Sequence, residues 1–381
     1  MKQIILIYFA GFLFALNLAA QPPGDQNWDT TPFFYDHFNP PRSPWSIDHW
    51  MDIPYDKKWK AHLSGCVTHG ENERQVYQKE NAIFNAADHT MRLKAEYAEG
   101  LIGISDYTIP LNITKKTADS ILYYKSGAIC IAESEKNKIL YGYFEARCRL
   151  PVNRGAFPAF WLWDSSDGNY REIDIFEYSW NITTHYRNTS GYATSRYFEG
   201  QIYYYNGPKP ANEDDYTYGR YGHNIPLNEY DLTNWHTYGM EWSPKRVLWY
   251  FDNQQVGSFV GDSIPAMSMN LDLNNAVDSY ATPDGIPLTE GFPNEMCIDY
   301  VKVSKLKCAC SSDTSIQNER QLIDFDFSVY KTITLGGFGN AIALPSNTNT
   351  VLRATEGITI NGDFSVPLGS SLDLITHSCS Q

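Results

Sequence analysis

The sequence predicts an all-β fold: a large antiparallel sandwich or barrel followed by a small β module. Three features point to it. Short runs alternate apolar and polar residues with period two, as in Met91-Arg-Leu-Lys-Ala-Glu96, Gly142-Tyr-Phe-Glu-Ala-Arg-Cys-Arg-Leu150, His236-Thr-Tyr-Gly-Met-Glu-Trp242, Val247-Leu-Trp-Tyr-Phe251 and Met296-Cys-Ile-Asp-Tyr-Val-Lys-Val303. Gly, Pro, Asn and Asp punctuate the spaces between the runs. Long amphipathic helical patterns are missing. A chain of 381 residues is long enough for one large core and a smaller unit.

Taken in order, the chain opens with Lys2, an apolar run from Ile4 to Leu18, small residues Ala19 and Ala20, and the polar Gln21-Pro-Pro-Gly. This is the layout of a secretory signal peptide over residues 1–20, too short to read as a membrane span. No cysteine follows the cleavage region to accept a lipid. The expected product is secreted, with attachment at the cell surface as the alternative and no stable membrane insertion. Residues 21–45, rich in Pro, Asp and Asn, form a lead-in. The alternating strands then run over residues 46–306, and an all-β sandwich or barrel of roughly 260 residues follows from them. In residues 307–381 the aromatics thin out. Runs such as Ile333-Thr-Leu-Gly-Gly-Phe-Gly and Gly357-Ile-Thr-Ile-Asn-Gly-Asp-Phe-Ser-Val-Pro-Leu-Gly369 suit a narrow stack of short strands with an accessory or sorting role.

Composition narrows the function. Hydrophobic residues make up 43% and charged residues 19%, and 10 Trp, 27 Tyr and 19 Phe supply both core and rings on which sugars can stack. A formal net charge of -14 without clustered Lys or Arg argues against a nucleic-acid partner. The seven cysteines (66, 130, 148, 297, 308, 310 and 379) have no zinc-site spacing. In an oxidising compartment some can pair, and Cys379 is placed to tie the end of the chain to Cys308 or Cys310.

The chemistry concentrates in Tyr170-Arg-Glu172-Ile-Asp174-Ile-Phe-Glu177-Tyr178. On a flat strand Glu172 and Asp174 share a face while Glu177 points away. One β-bulge between Asp174 and Glu177 brings all three acids to one face and leaves Ile173, with Ile175 or Phe176, to the core. Three acids on one face repel one another, a cost usually retained for function. Glycoside hydrolysis uses such a pair, one carboxylate as nucleophile and one protonated as acid, about 5 Å apart when configuration is retained. Spacing alone leaves either Glu as nucleophile, and leaves open a solvated strand face or a calcium site.

With its surroundings this strand resembles glycoside hydrolase family 16, retaining endo-β-glycanases built on a concave jelly-roll sandwich. Segments similar to the family's stand in the same order between residues 70 and 305: Asn72-Glu-Arg-Gln-Val-Tyr77, Lys125-Ser-Gly-Ala, Tyr141-Gly-Tyr-Phe-Glu-Ala-Arg147, Phe157-Pro-Ala-Phe-Trp161-Leu-Trp163, Trp235-His-Thr-Tyr-Gly-Met-Glu-Trp242 and Asp299-Tyr-Val-Lys-Val303. The resemblance implies Glu172 as nucleophile, Glu177 as general acid/base and Asp174 as the assisting carboxylate. It implies stacking or hydrogen bonding to sugar by Trp161, Trp163 and Tyr178, and substrate contacts from Asn72, Arg147 and His185. No cofactor is required for catalysis, while Asp299 matches a position that holds a structural calcium in relatives.

The expected partner is a polysaccharide and the expected state a monomer. β-1,3- or mixed-linked glucan is the first reading of the substrate. Agar- or carrageenan-type galactan is the second, with Arg154, Arg187 and Arg196 available for sulfates and Arg171 expected on the face opposite Glu172. A lectin-like sandwich that binds without cleaving is the alternative from another class, and transglycosylation a further outcome. Phe157 stands where many laminarinases have Trp, and the Tyr178–Tyr186 loop and the Tyr-rich stretch around 203–221 are individual.

Overall fold

The computed structural model describes residues 28, 32, 34–38, 59–61, 73–103, 121–131, 138–164, 171–178, 197–204, 221–226, 230–243, 246–260, 264–265, 267–305, 308–323, 329–337, 341–344 and 349–376. The leader, most of the lead-in, Asn72, His185, Arg187 and Arg196 lie outside this set. The chain is all-β, as the alternation predicts. Among the described residues the main body is two packed sheets. The seven-stranded sheet runs, edge to edge, Tyr221–Pro226, Tyr197–Tyr204, Arg171–Glu177, Ala156–Asp164, Asn270–Val277, Ala128–Ile131 and Trp59–Lys60. The ten-stranded sheet runs Gln254–Val260, Arg246–Phe251, His236–Trp242, Gly142–Arg149, Asn294–Ser304, Thr90–Gly103, Ile121–Ser126 and Gln75–Tyr77, with Phe34–Asp36 and Ala82–Asn85 as side branches.

The period-two pattern sorts each strand between two environments. Phe160 and Leu162 enter the main core with Ile173, Ile175 and Phe176, against Phe144, Ala146, Cys148, Tyr238, Met240, Trp242 and Trp249 of the other sheet. Phe176 and Tyr238 meet across it at 4.6 Å between ring centroids. Large apolar side chains buried this way contribute about 1.5–3 kcal/mol each, so the sandwich face of each strand is fixed by the core. The intervening residues of the same strands, Phe157, Ala159, Trp161 and Trp163, gather with Tyr77, Ala128 and Ala276 on the opposite face of the seven-stranded sheet. That face carries the site.

The C-terminal strands Cys308–Ile316, Val329–Leu335, Asn349–Ile360 and Ser371–Thr376 form a separate sheet, paired in parallel one after the next. Its core, including Ile316, Leu322, Ile333, Leu335, Leu352 and Ala354, is its own. Gly336, at φ +84°, sits where an added Cβ would strike the Asn361 backbone, which accounts for the glycine at that position. Cys310 is disulfide-bonded, whereas Cys148 and Cys297 are buried thiols whose titration burial pushes upward.

Candidate active site

The acid strand holds its shape through one irregularity. Against its neighbour, Asp174 lies opposite Trp161 and Phe176 opposite Phe160, so Ile175 is an extra residue and the register shifts there. Were the strand regular through Ile175, Glu177 would face the core; with the bulge, Glu172, Asp174 and Glu177 line one pocket together with Trp161, Phe157 and Ala159. Ile173, Ile175 and Phe176 are all buried beneath them, so both alternatives foreseen for the core face are realised at once.

Three rows cross the sheet at this point, because residues opposite one another on paired strands present their side chains to the same face. Glu172, Trp163 and Asn270 make one row; Asp174, Trp161 and Asp272 the next; Glu177, Ala159 and Asn274 the third. Each row starts at a carboxylate and ends at an amide or a carboxylate of the Asn270–Val277 strand. The small Ala159 between Glu177 and Asn274 leaves the third row open. Glu172 and Asp174 are 8% and 1% exposed, whereas Glu177 is more accessible, which separates a carboxylate on the floor from one that can meet water.

Trp161 is held from two sides. Its indole N–H donates to Asn274 Oδ1 at 2.7 Å, and its ring stacks on Trp163 with centroids 6.0 Å apart and planes 20° from parallel. Asn274 in turn donates from Nδ2 to the Tyr77 hydroxyl at 3.0 Å. Glu73 completes the wall, its carboxylate accepting a hydrogen bond from the Gln75 side chain. Below the far end of the Trp161 strand, Lys138 and Asp164 form an ion pair at 2.5 Å with side chains only 8% and 3% exposed.

Three expected contacts are placed elsewhere. Arg147 alternates with the core residues Ala146 and Cys148, so it emerges on the outward face of the ten-stranded sheet, where it binds Asp299 at 2.6 Å and lies over Trp235. It does not reach the cleft. Tyr178, one residue past Glu177, falls on the core side and is 1% exposed within the main cluster, so it offers no surface to a sugar. The Asp299 carboxylate carries a guanidinium where a calcium would need it, and no group of three or more His, Cys, Asp or Glu side chains able to hold a metal exists among the described residues. Arg171 turns away from the cleft to the Met267 sulfur at 2.8 Å, and Arg154 is bonded to the Tyr280 carbonyl at 2.9 Å.

Sequence reasoning passed over Glu73, Asn270, Asp272 and Asn274. The last three were visible as polar residues at every second position of Asn270-Leu-Asp-Leu-Asn274, a strand otherwise apolar.

A model of the glycosyl hydrolases family 16 matches residues 71–282, over half of the chain. The chain belongs to this family. Among curated relatives, this family 16 chain is 29% identical over 171 residues to an endo-1,3-1,4-beta-glycanase of Rhizobium meliloti (strain 1021), covering 44% of this chain and 30% of that one. It is also 29% identical over 199 residues to the kappa-carrageenase of Pseudoalteromonas carrageenovora, covering 49% and 48%. It thus spans less than half the length of these two relatives. A non-specific endo-beta-1,3(4)-glucanase of family 16 superposes with a TM-score of 0.51 at 21% identity, covering 75% of this chain and 95% of that one. Porphyranase B from Zobellia galactanivorans gives 0.51 at 16%, covering 71% and 98%. At such identities the likeness of these structures is one of fold.

Proposed function

We propose that the protein is a retaining endo-β-glycanase acting on a neutral polysaccharide, β-1,3- or mixed-linked glucan. The gathering of Glu172, Asp174 and Glu177 by a bulge onto one cleft face, beside Trp161, carries this reading. Glu177, the accessible member, protonates the departing glycosidic oxygen while Glu172 attacks the anomeric carbon from the floor; Glu177 then takes the proton of the water that releases the sugar. Asp174 lies between them, hydrogen-bonding the nucleophile in the assigned role. Trp161 and Trp163 offer a stacked pair of rings to the sugar faces.

The choice of a neutral chain rests on charge. The described cleft wall presents the carboxylates of Glu73, Glu172, Asp174 and Glu177, and no Arg or Lys among its described lining residues. A sulfate placed among carboxylates is repelled; Arg154, the described one of the three arginines available for it, is bonded to the Tyr280 carbonyl, and Arg171 is turned to Met267. The kappa-carrageenase relative keeps a charged galactan as the second reading. Export through the leader at residues 1–20 is part of the proposal; no helix among the described residues is long and apolar enough to cross a membrane.

The test is reducing-sugar release on laminarin, lichenan, agarose and carrageenan, with Glu172→Gln as control. Turnover of one of the glucans that vanishes in the variant is expected. Cleavage of the galactans alone would replace the substrate, and binding without cleavage of any would replace the enzyme with a lectin.

A further inference from the structure

The bulge that sets the carboxylates has a partner in the opposite sheet. Ile175 is inserted between Asp174 and Phe176, and pairing with the Tyr197–Tyr204 strand covers only Arg171 to Ile173. At the bulge the ladder is thus one-sided: the Ala156–Asp164 strand pairs on through Glu177, while the inserted residue itself has no partner opposite it on that strand. Trp249, fully buried in the main core, crosses from the Arg246–Phe251 strand and donates its indole N–H to the Asp174 carbonyl at 2.7 Å. Its own strand also shifts register between Trp249 and Tyr250, so the two irregularities meet through this bond.

We propose that Trp249 is a positioning residue for the reaction, holding the bulge in the one orientation that sets Glu177 at working distance from Glu172. The proposal rests on the retaining reading of the cleft. The Asp174–Ile175 peptide is the pivot from which Glu177 projects. A carbonyl fixed from beneath cannot rotate without leaving the indole N–H and itself unpaired in an apolar core. Apolar filling alone would be met by Phe; the donor is what the bulge requires. A reacting group misplaced by an ångström costs up to about a hundredfold in rate.

Trp242 supplies the control, since it is equally buried on the adjacent strand and donates to the Pro265 carbonyl at 3.1 Å, away from the acids. Trp249→Phe and Trp242→Phe are compared in the full chain for melting temperature, kcat and KM on the glucan that the parent cleaves, and the pH profile. Azide is added with a dinitrophenyl glycoside, whose leaving group needs no proton. Azide attacks the anomeric carbon of the glycosyl ester, displaces the Glu172 carboxylate and yields a glycosyl azide without a general base.

Trp249→Phe is expected to lower kcat on the order of tenfold with KM unchanged, move the limb of the pH profile that belongs to the acid, and gain rate with azide. Trp242→Phe should lose comparable stability and keep all three. Parental kcat and pH profile in Trp249→Phe, or the same kinetic defect in Trp242→Phe, overturns the proposal. If Trp249→Phe does not fold, benzothienylalanine at position 249, which keeps the ring and lacks the N–H, is read by the same criteria. Glu172→Gln separates the two ideas: full turnover there defeats the catalytic reading itself, whereas an inactive Glu172→Gln beside an unaltered Trp249→Phe defeats only the positioning role.

Discussion

Replacing Asn274 by Ala tests the wall of the cleft at the joint where structure and substrate contact meet. The side chain is 4% exposed and holds two buried partners, accepting from the Trp161 indole at 2.7 Å and donating to the Tyr77 hydroxyl at 3.0 Å. Each such bond is worth about 0.5–1.5 kcal/mol net, and an orphaned buried donor costs about 1–3 kcal/mol. Asn274→Ala should therefore destabilise by about 2–3 kcal/mol, most of it from the stranded Trp161 N–H. Trp161→Phe removes that donor. In the double variant neither the Trp161 donor nor the Asn274 acceptor is left facing the other's absence, so its loss should fall short of the sum of the single losses by about 1 kcal/mol. Urea denaturation of the four proteins measures this as shifts in midpoint at constant slope. A Trp161 ring freed from Asn274 also loses its aim, and kcat/KM of Asn274→Ala should fall about tenfold, equivalent to about 1.4 kcal/mol. Single losses that add to the double within about 0.3 kcal/mol would refute the claim that this hydrogen bond holds the ring.

Other outcomes follow from the same geometry. Glu172→Gln and Glu177→Gln should each lower kcat by more than about a hundredfold, with only Glu177→Gln rescued by azide on an activated substrate, and a melting temperature within a few degrees of the parent for both. Lys138→Met removes the ion-pair partner of the Asp164 carboxylate at 3% exposure and should cost up to about 3–5 kcal/mol in denaturant midpoint analysis, much of it restored by adding Asp164→Asn. Arg147→Ala should leave KM unchanged in steady-state kinetics, because the side chain is on the far sheet. Calcium titrated into chelator-treated protein should leave the melting temperature in place; a rise with concentration would mean that an ion binds the folded state after all.

The acid strand was readable because it breaks its own rule. Acids at 172, 174 and 177 fail period two, and only an inserted residue reconciles them, so the bulge could be located before any coordinates. Tyr178 was also decidable: one step past Glu177 the alternation points it to the core, and the resemblance drew attention away from that. Arg147 was not decidable in the same way. Alternation through Tyr143-Phe-Glu-Ala-Arg147 separates two faces, yet which sheet of the pair a strand joins, and so whether its polar face meets the cleft or the outside, is set by long-range pairing with Asn294–Ser304 and His236–Trp242. Glu73 and Trp249 were hidden for the same reason, since their partners lie far away in sequence.

The Ile175 bulge makes the acid strand sensitive to how its extra residue is taken up. Ironed out at the present length, the strand would exchange the two sides of everything beyond Ile175, sending Glu177 inward and Phe176 out to water. Any change that lets the strand pair flush at its present length would therefore invert the site, and changes of residue number are better carried by the connections on either side. A library meant to change which sugar is cut should vary the lengths of those connections and keep the seven residues of the strand at constant number.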